Sequence, residues 1–137
     1  MKREIFVDTS GFYALLIAKD GQHVRARQVL DRAATLKRGF LTSDYVLDET
    51  ATLLQARGHA HLGQALFRVV FESSICRVAW MDPDRFSRTR AFFAKHADQP
   101  WSFTDCFSFV LMQEYVLTEA LSTDIHFQHA GFKPLLA

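Results

Sequence analysis

Short apolar runs alternate along this chain with amphipathic segments of helical periodicity, and two of the runs end directly at an acidic residue. The run at residues 5–7 is followed by Asp8, and the run at residues 120–123 is followed by Asp124. Such alternation predicts βαβ units and therefore an α/β fold, a three-layer α/β/α sandwich with a mostly parallel central sheet. In sheets of this kind, ligands bind beyond the carboxyl ends of the strands.

The same periodicities predict the individual elements. Strands are expected at residues 4–7, 40–42, 75–81 and 120–123, with a final edge strand at 132–136 that tolerates Pro134. Helices are expected at residues 12–18, 23–38, 43–57, 61–72, 85–96 and 106–116. The last of these helices is apolar almost all round, which predicts that it is buried on most sides.

Composition narrows the class of protein. The chain has 137 residues, of which 49% are hydrophobic, and this fits one domain spanning residues 1–137 rather than a disordered chain. No apolar run is long enough to cross a bilayer and the start does not resemble a signal peptide, so we expect a cytoplasmic protein with no membrane partner. Cys76 and Cys106 are expected to be small buried side chains without a disulfide, and thirteen phenylalanines predict an aromatic core.

Four acids separated in sequence form the candidate site. Asp8, Asp105 and Asp124 follow strands or open a helix, so the fold can bring them to one end of the sheet. Glu49 lies on an adjacent predicted helix among apolar positions and is expected to face inward. Four carboxylates in one place repel each other unless cations compensate them, and oxygen ligands favour Mg²⁺ or Mn²⁺.

Each acid also has an ordinary structural explanation. Asp8 is placed to cap a helix, Asp105 fits a capping box with Ser102, Asp124 suits a turn, and Glu49 suits an exposed surface. An N-terminal strand ending in Asp is also typical of phosphotransfer folds with a nucleophilic Asp. The phosphatase type has a second Asp two positions later, where this chain has serine.

The four acids lie in segments that occur in a fixed order. These segments are residues 5–10, 45–50, 102–106 and 122–127, followed by 130–132. The series resembles the motifs of the PIN-domain nucleases across the whole chain, and is most similar to the VapC-type toxins of bacterial and archaeal toxin-antitoxin pairs.

The resemblance implies a PIN-like fold and a metal-dependent endoribonuclease. It implies that Asp8, Glu49 and Asp105 bind Mg²⁺ or Mn²⁺ as catalytic residues, that Asp124 is a more variable fourth acid, and that Ser102 or Thr104 supplies a hydroxyl beside the metal. Ser10 is a further candidate for support of the site. The partners implied are an RNA substrate, a cognate antitoxin and a second copy of the chain. Two alternatives stay open: an RNA-processing nuclease without an antitoxin, and a catalytically inactive module that binds RNA or protein.

Charge and apolar surface suggest where partners bind. The formal charge of +1 hides a contrast, because setting the four acids aside leaves 11 acidic residues against 16 basic ones. Basic residues at 25–38 and 85–90 either form solvated faces or contact RNA phosphates. Leu15, Leu16 and the helices at 43–72 are expected to offer apolar grooves to an antitoxin or a second subunit. The pairs His59 with His61 and His126 with His129 lack the further donors of a zinc site.

Overall fold

A computed structural model describes residues 3–137 as five strands and seven helices. The strands are β1 (Ile5–Val7), β2 (Phe40–Ser43), β3 (Cys76–Ala79), β4 (Glu119–Leu121) and β5 (Lys133–Pro134). The helices are α1 (Thr9–Leu16), α2 (His23–Thr35), α3 (Asp44–Ala56), α4 (Ala60–Glu72), α5 (Pro83–Lys95), α6 (Phe103–Glu114) and α7 (His126–His129).

All strand pairs in the described sheet are parallel, and the strands lie in the order β3-β2-β1-β4-β5. The chain therefore builds outwards from β1 in one direction through β2 and β3, and then returns to the other side of β1 as β4 and β5. Right-handed crossovers place α1 to α4 on one face of the sheet and α5 to α7 on the other. This confirms the expected α/β/α sandwich, and the reversal of direction puts a ligand-binding crevice at the ends of β1 and β4.

The observed boundaries differ from the predicted ones mostly by one to three residues. Helix α1 begins at Thr9, directly after Asp8. The polar residues Thr9 and Ser10, which follow the predicted strand, form the first turn of the helix. The edge strand β5 is confirmed, but it contains only Lys133–Pro134. The sequence pattern missed α7, because four residues are too few to show a helical period.

Aromatic side chains fill the core on the α5–α6 face of the sheet. The ring of Phe109 packs edge-on against Phe127 at 5.0 Å and against Trp101 at 5.1 Å between centroids. Phe127 in turn contacts Phe6 of β1, with centroids 6.4 Å apart. Residues 106–112 of α6 are all buried, as the sequence predicted. Edge-to-face pairs of this kind stabilise a core beyond the area that they bury.

A close approach between α1 and β4 fixes the geometry at the end of the sheet. A Cβ atom added to Gly11 would lie 2.1 Å from the backbone oxygen of Leu121, so only glycine fits there. The backbone N–H of Asp8 donates to the same oxygen at 3.2 Å. The absence of a side chain at Gly11 therefore lets the first turn of α1 pack directly on the strand that leads to Asp124.

The remaining expectations about the fold concern cysteines and membranes. Cys106 is buried and Cys76 is half-buried; both are free thiols, and burial raises the pKa of each to about 11. Neither thiol is therefore a reactive nucleophile at neutral pH. Within residues 3–137, none of the helices has the length and apolar character needed to span a bilayer.

Candidate active site

The four predicted acids line one cleft of about 440 Å³ at the carboxyl ends of β1 and β4. They come from four different elements, and the cleft is also lined by side chains that the sequence did not single out. Its lining residues are Asp8, Thr9, Ser10, Tyr13, Asp20, Glu49, Leu53, Arg57, Asp105, Thr123 and Asp124. The fold thus gathers five carboxylates, including that of Asp20, around one open space.

Asp8 is the most buried of these carboxylates, with only 6% of its surface exposed. Its Oδ2 accepts hydrogen bonds from the hydroxyls of Ser122 at 3.0 Å and Ser10 at 3.3 Å. Its side chain makes no capping bond to α1, so the capping explanation is wrong. Burial, together with the charges of Asp105 and Glu49, raises the pKa of Asp8 to about 6, although the hydrogen bond from Ser122 lowers it.

Glu49 reaches the cleft from the middle of α3. The hydroxyl of Thr9 donates to its Oε1 at 2.6 Å, which joins α3 to the first turn of α1. The residue is exposed, so the expectation that it faces the protein interior is wrong; it faces the cleft instead. The hydrogen bond holds a solvent-accessible carboxylate in a defined position.

Asp105 combines the capping role with a place in the cleft. The Ser102 hydroxyl accepts from the Asp105 backbone N–H at 3.0 Å, and Asp105 Oδ2 accepts from the Ser102 N–H at 3.1 Å, which completes a capping box at the start of α6. Burial raises the pKa of Asp105, and the charges of Asp124 and Glu49 raise it further. The capping box therefore fixes the orientation of the Asp105 carboxylate, which lines the acidic cleft.

Asp124 lies in the turn between β4 and α7. Its backbone N–H donates to Ser122 Oγ at 3.0 Å, and its Oδ1 accepts from the backbone N–H of His126 at 2.9 Å. The turn explanation is thus correct, and the same turn presents the side chain to the cleft. Asp105, Asp124 and His126 each place one donor atom within 4.8 Å of the others, a grouping that is compatible with a shared metal ion.

One basic side chain lines this otherwise acidic cleft. Arg57 follows the last residue of α3, and its guanidinium lies over the ring of Tyr13 with the Cζ atom 4.9 Å from the centroid. The stacking holds the cation at the rim of the cleft rather than against a carboxylate. Within residues 3–137, none of the cleft acids forms an ion pair with a lysine or arginine, and His126 is the basic side chain that lies near Asp124 and Asp105.

A comparison with protein families identifies this arrangement. The family model described as PIN domain matches residues 5–133. The chain belongs to the PIN domain family. The match covers β1 through the first residue of β5 and includes all four predicted acids.

This PIN domain is similar to curated and solved relatives over nearly its whole length. It is 35% identical over 130 residues to the 23S rRNA-specific endonuclease VapC20 of Mycobacterium tuberculosis, which it matches in two strains, CDC 1551 / Oshkosh and H37Rv. The alignment covers 93% of this chain and 95% of the relative. The crystal structure of M. tuberculosis VapC20, described as a sarcin-ricin loop cleaving toxin, superposes with a TM-score of 0.81 at 32% identity and covers 94% of this chain and 96% of that one.

The supporting hydroxyls of this PIN domain differ in part from those expected. Ser10 lines the cleft and hydrogen-bonds Asp8, whereas Ser102 is exposed and serves the capping box, and Thr104 is absent from the residues that line the cleft. Ser122 was not among the predicted site residues, although its fully buried hydroxyl bridges Asp8 and the Asp124 backbone. Ser122 directly follows β4 and lies two residues before Asp124, and this position is the sequence feature that could have indicated its role.

Two of the arginines weighed as phosphate ligands have other partners. Arg85 donates to Glu114 Oε2 at 2.6 Å, and Arg88 donates to Glu114 Oε1 at 2.6 Å and to Asp84 Oδ2 at 3.0 Å. These contacts lie on α5 and α6, and none of the four residues lines the cleft. Arg85 and Arg88 are therefore part of an ion-pair cluster away from the cleft.

Proposed function

We propose that this PIN domain is a divalent-metal-dependent endoribonuclease that acts at the cleft of Asp8, Glu49, Asp105 and Asp124. The observation that supports this most strongly is the concentration of carboxylates in one cleft, where none of them forms an ion pair with a lysine or arginine of residues 3–137. Membership of the PIN family and 35% identity to an rRNA endonuclease point to the same activity.

The donor set fits a hard divalent cation. All the proposed ligands are carboxylate oxygens, which Mg²⁺ and Mn²⁺ bind together with water and substrate phosphate. Burial raises the pKa values of Asp8 and Asp105, and repulsion from the neighbouring carboxylates adds to the effect. A bound cation removes that repulsion and stabilises the ionised cleft.

The chain's own residues have separable roles in phosphodiester hydrolysis. Asp8, Glu49, Asp105 and Asp124 would hold a divalent cation, which would supply an activated water and offset the charge on the phosphoryl oxygens. Asp8 is fixed by the hydroxyls of Ser122 and Ser10, and Glu49 is fixed by Thr9, so that these oxygens are positioned before the substrate arrives. No side chain is required as a covalent nucleophile.

Arg57 is proposed to hold an RNA phosphate beside the site of cleavage. Arg57 lies eight residues beyond Glu49 along α3, which corresponds to about 12 Å of helix. Its planar guanidinium is suited to phosphate, and the stacking on Tyr13 limits its motion before RNA binds. We expect Arg57→Gln to raise KM several-fold with little change in kcat. Arg68 is an exposed arginine on α4 and provides the control, so we expect Arg68→Gln to change neither KM nor kcat.

The proposed biological role is that of a toxin with a cognate antitoxin. The relatives act on 23S rRNA, and we extend a ribosomal RNA substrate to this chain on the strength of that likeness. The cytoplasmic location, the identity of the cation as Mg²⁺ or Mn²⁺ and the homodimer stay predictions. The molar mass of the purified protein by light scattering tests the homodimer.

An apolar groove of about 310 Å³ on the α1–α4 face supports the antitoxin proposal. Leu15, Leu16 and residues of α4 line it as expected, whereas α3 contributes none of the lining residues and α2 contributes Arg27 and Leu30. Val69 of α4 is 64% exposed at its rim. An amphipathic antitoxin segment would bury these side chains. We expect Val69→Asp to weaken inhibition by the antitoxin while cleavage of RNA stays unchanged.

The central test is cleavage of rRNA by carboxylate variants with a matched control. Glu49→Gln removes one proposed ligand charge, and Asp48→Asn removes a neighbouring exposed charge on the same helix. We expect Glu49→Gln to abolish metal-dependent cleavage and Asp48→Asn to retain it. Equal activity of both variants would contradict the proposal. Retained RNA binding by a wild-type protein that never cleaves RNA would favour the inactive binding module instead.

A further inference from the structure

We propose that His126 supplies a nitrogen ligand to the same cation as Asp105 and Asp124, so that the site favours a transition-metal ion such as Mn²⁺ over Mg²⁺. This inference rests on the proposed function, because it assigns one more donor to the proposed metal site. It concerns a residue outside the set of four acids.

The distances support a shared ion. His126 Nδ1 lies 3.2 Å from Asp124 Oδ1 and 4.0 Å from Asp105 Oδ2, and the donor atoms of the three residues all lie within 4.8 Å of one another. Around a six-coordinate cation with bonds of about 2.1 Å, adjacent donors are separated by about 3.0 Å and opposite donors by about 4.2 Å. The separations of His126 Nδ1 from the two carboxylates, 3.2 and 4.0 Å, fall within this range.

The state of the imidazole supports the same assignment. His126 Nδ1 is buried and has no hydrogen-bond partner among the described residues, despite its closeness to two carboxylates. Asp124 Oδ1 instead accepts the backbone N–H of His126 at 2.9 Å. A buried polar atom without a partner is unfavourable, and a shared cation would satisfy the nitrogen and both carboxylates together.

The backbone holds the ring in position. His126 opens α7, and the next residue, Phe127, is fully buried against Phe6 and Phe109. The turn that carries Asp124 is bonded to Ser122 on one side and to His126 on the other. The imidazole and the carboxylate therefore project from one anchored segment.

A nitrogen donor changes the metal preference that an all-oxygen site would have. Mg²⁺ takes oxygen ligands almost exclusively, while imidazole binds more favourably to transition-metal ions. We therefore expect removal of His126 to weaken Mn²⁺ binding by roughly tenfold and to weaken Mg²⁺ binding much less. His129 is an exposed histidine at the other end of α7, so His129→Ala is a matched control.

Pulsed EPR of the Mn²⁺-loaded full chain tests the assignment without an activity measurement. We expect ¹⁴N modulation from a coordinated imidazole in the wild type and in His129→Ala, and its loss in His126→Ala. In wild-type protein labelled with ¹⁵N-histidine, we expect ¹⁵N coupling in place of the ¹⁴N modulation. This experiment needs no amino-acid substitution. Titration of each protein with Mn²⁺ and Mg²⁺ measures the preference.

The outcomes separate this inference from the proposed function. One outcome is that Mn²⁺ binds the wild type but not Asp105→Asn, and that the bound Mn²⁺ shows no coupling to histidine nitrogen. This outcome would overturn the role of His126 and would still support the proposed metal site. Coupling that disappears in His129→Ala but persists in His126→Ala would also overturn it. Failure of the wild type to bind Mn²⁺ at all would overturn both proposals.

Discussion

Two groups of carboxylates in this protein are balanced in opposite ways. On α5 and α6, Glu114 accepts hydrogen bonds from both Arg85 and Arg88, and these partners lower the pKa of Glu114. In the cleft at the end of the sheet, burial raises the pKa values of Asp8 and Asp105, and the neighbouring carboxylates raise them as well. The chain neutralises the first group itself, and we propose that a cation from solution neutralises the second.

The contrast separates structural charge from functional charge. An ion pair formed within the chain contributes to stability and needs no bound ion to compensate its charge. Carboxylates concentrated without their own cations reduce the stability of the metal-free protein, so their presence needs another explanation. In this molecule the second kind of group lies where a doubly wound sheet binds ligands.

The largest expected effect is on catalysis. Asp105→Asn keeps the size of the side chain but removes a charge from the cleft, and we expect the rate of RNA cleavage in Mg²⁺ or Mn²⁺ to fall about 10²–10³-fold. Glu114 with Arg85 and Arg88 forms the compensated cluster. Glu114→Gln removes a charge from this cluster, and we expect cleavage by this variant to stay within about twofold of the wild type. A comparable loss in both variants would break the distinction between the two groups.

The pH dependence of stability should also differ between the groups. The folded-state pKa of Asp8 is raised from 3.8 to about 6, so the metal-free protein should lose stability as pH rises from about 4 to 6, by up to about 3 kcal/mol from this residue. The pKa of Glu114 is lowered, so its contribution is present above pH 4.5 and is lost as pH falls through its folded-state pKa. Urea unfolding across this range measures both trends.

Substitutions assign the two pH trends to their residues. We expect Asp8→Asn to remove the loss of stability between pH 4 and 6 and to unfold at higher urea than the wild type at pH 7 in the absence of metal. Saturating Mn²⁺ should stabilise the wild type but not this variant. A steeper loss of stability in Asp8→Asn would contradict the raised pKa.

Much of the site could be predicted because its signals are local. Asp8 and Asp124 directly follow strands, and the spacing of Ser102 and Asp105 is that of a capping box. The order of the strands then brings these positions together. The apolar alternation likewise predicted most helices and strands, whereas α7 was too short to show a period.

The missed residues act through contacts between distant parts of the chain. Ser122 bonds Asp8 across 114 positions, and Thr9 bonds Glu49 across 40. Arg57 and Asp20 reach the cleft only because the ends of α3 and α1 meet there. A serine or threonine near a strand or helix end has many local uses, so its sequence position alone does not reveal such a partner.

A smaller effect is expected from the hydroxyl that positions Asp8. Ser122→Ala removes a buried hydrogen bond to the carboxylate, which should raise the pKa of Asp8 further and reduce cleavage roughly tenfold. Ser108 is the matched control, because its fully buried hydroxyl has no partner among the described residues. We expect Ser108→Ala to leave cleavage unchanged and stability equal or slightly higher. Equal loss of cleavage in both variants would contradict a specific role for Ser122.

The smallest effect is expected from the compensated cluster. Glu114→Gln breaks charge-assisted contacts to Arg85 and Arg88 at a partly exposed site, so we expect a loss of about 1 kcal/mol in the free energy of unfolding at pH 7. High salt should reduce the difference from the wild type. A loss above about 3 kcal/mol would show that this cluster is as sensitive as a buried site.

Calorimetric titration of the purified protein with Mn²⁺ tests most directly whether the uncompensated carboxylates form a cation site. We expect saturable binding by the wild type, binding of similar strength by Glu114→Gln, and loss of binding in Asp105→Asn. Unchanged binding by Asp105→Asn, or absence of binding by the wild type, would contradict a metal site at this cleft.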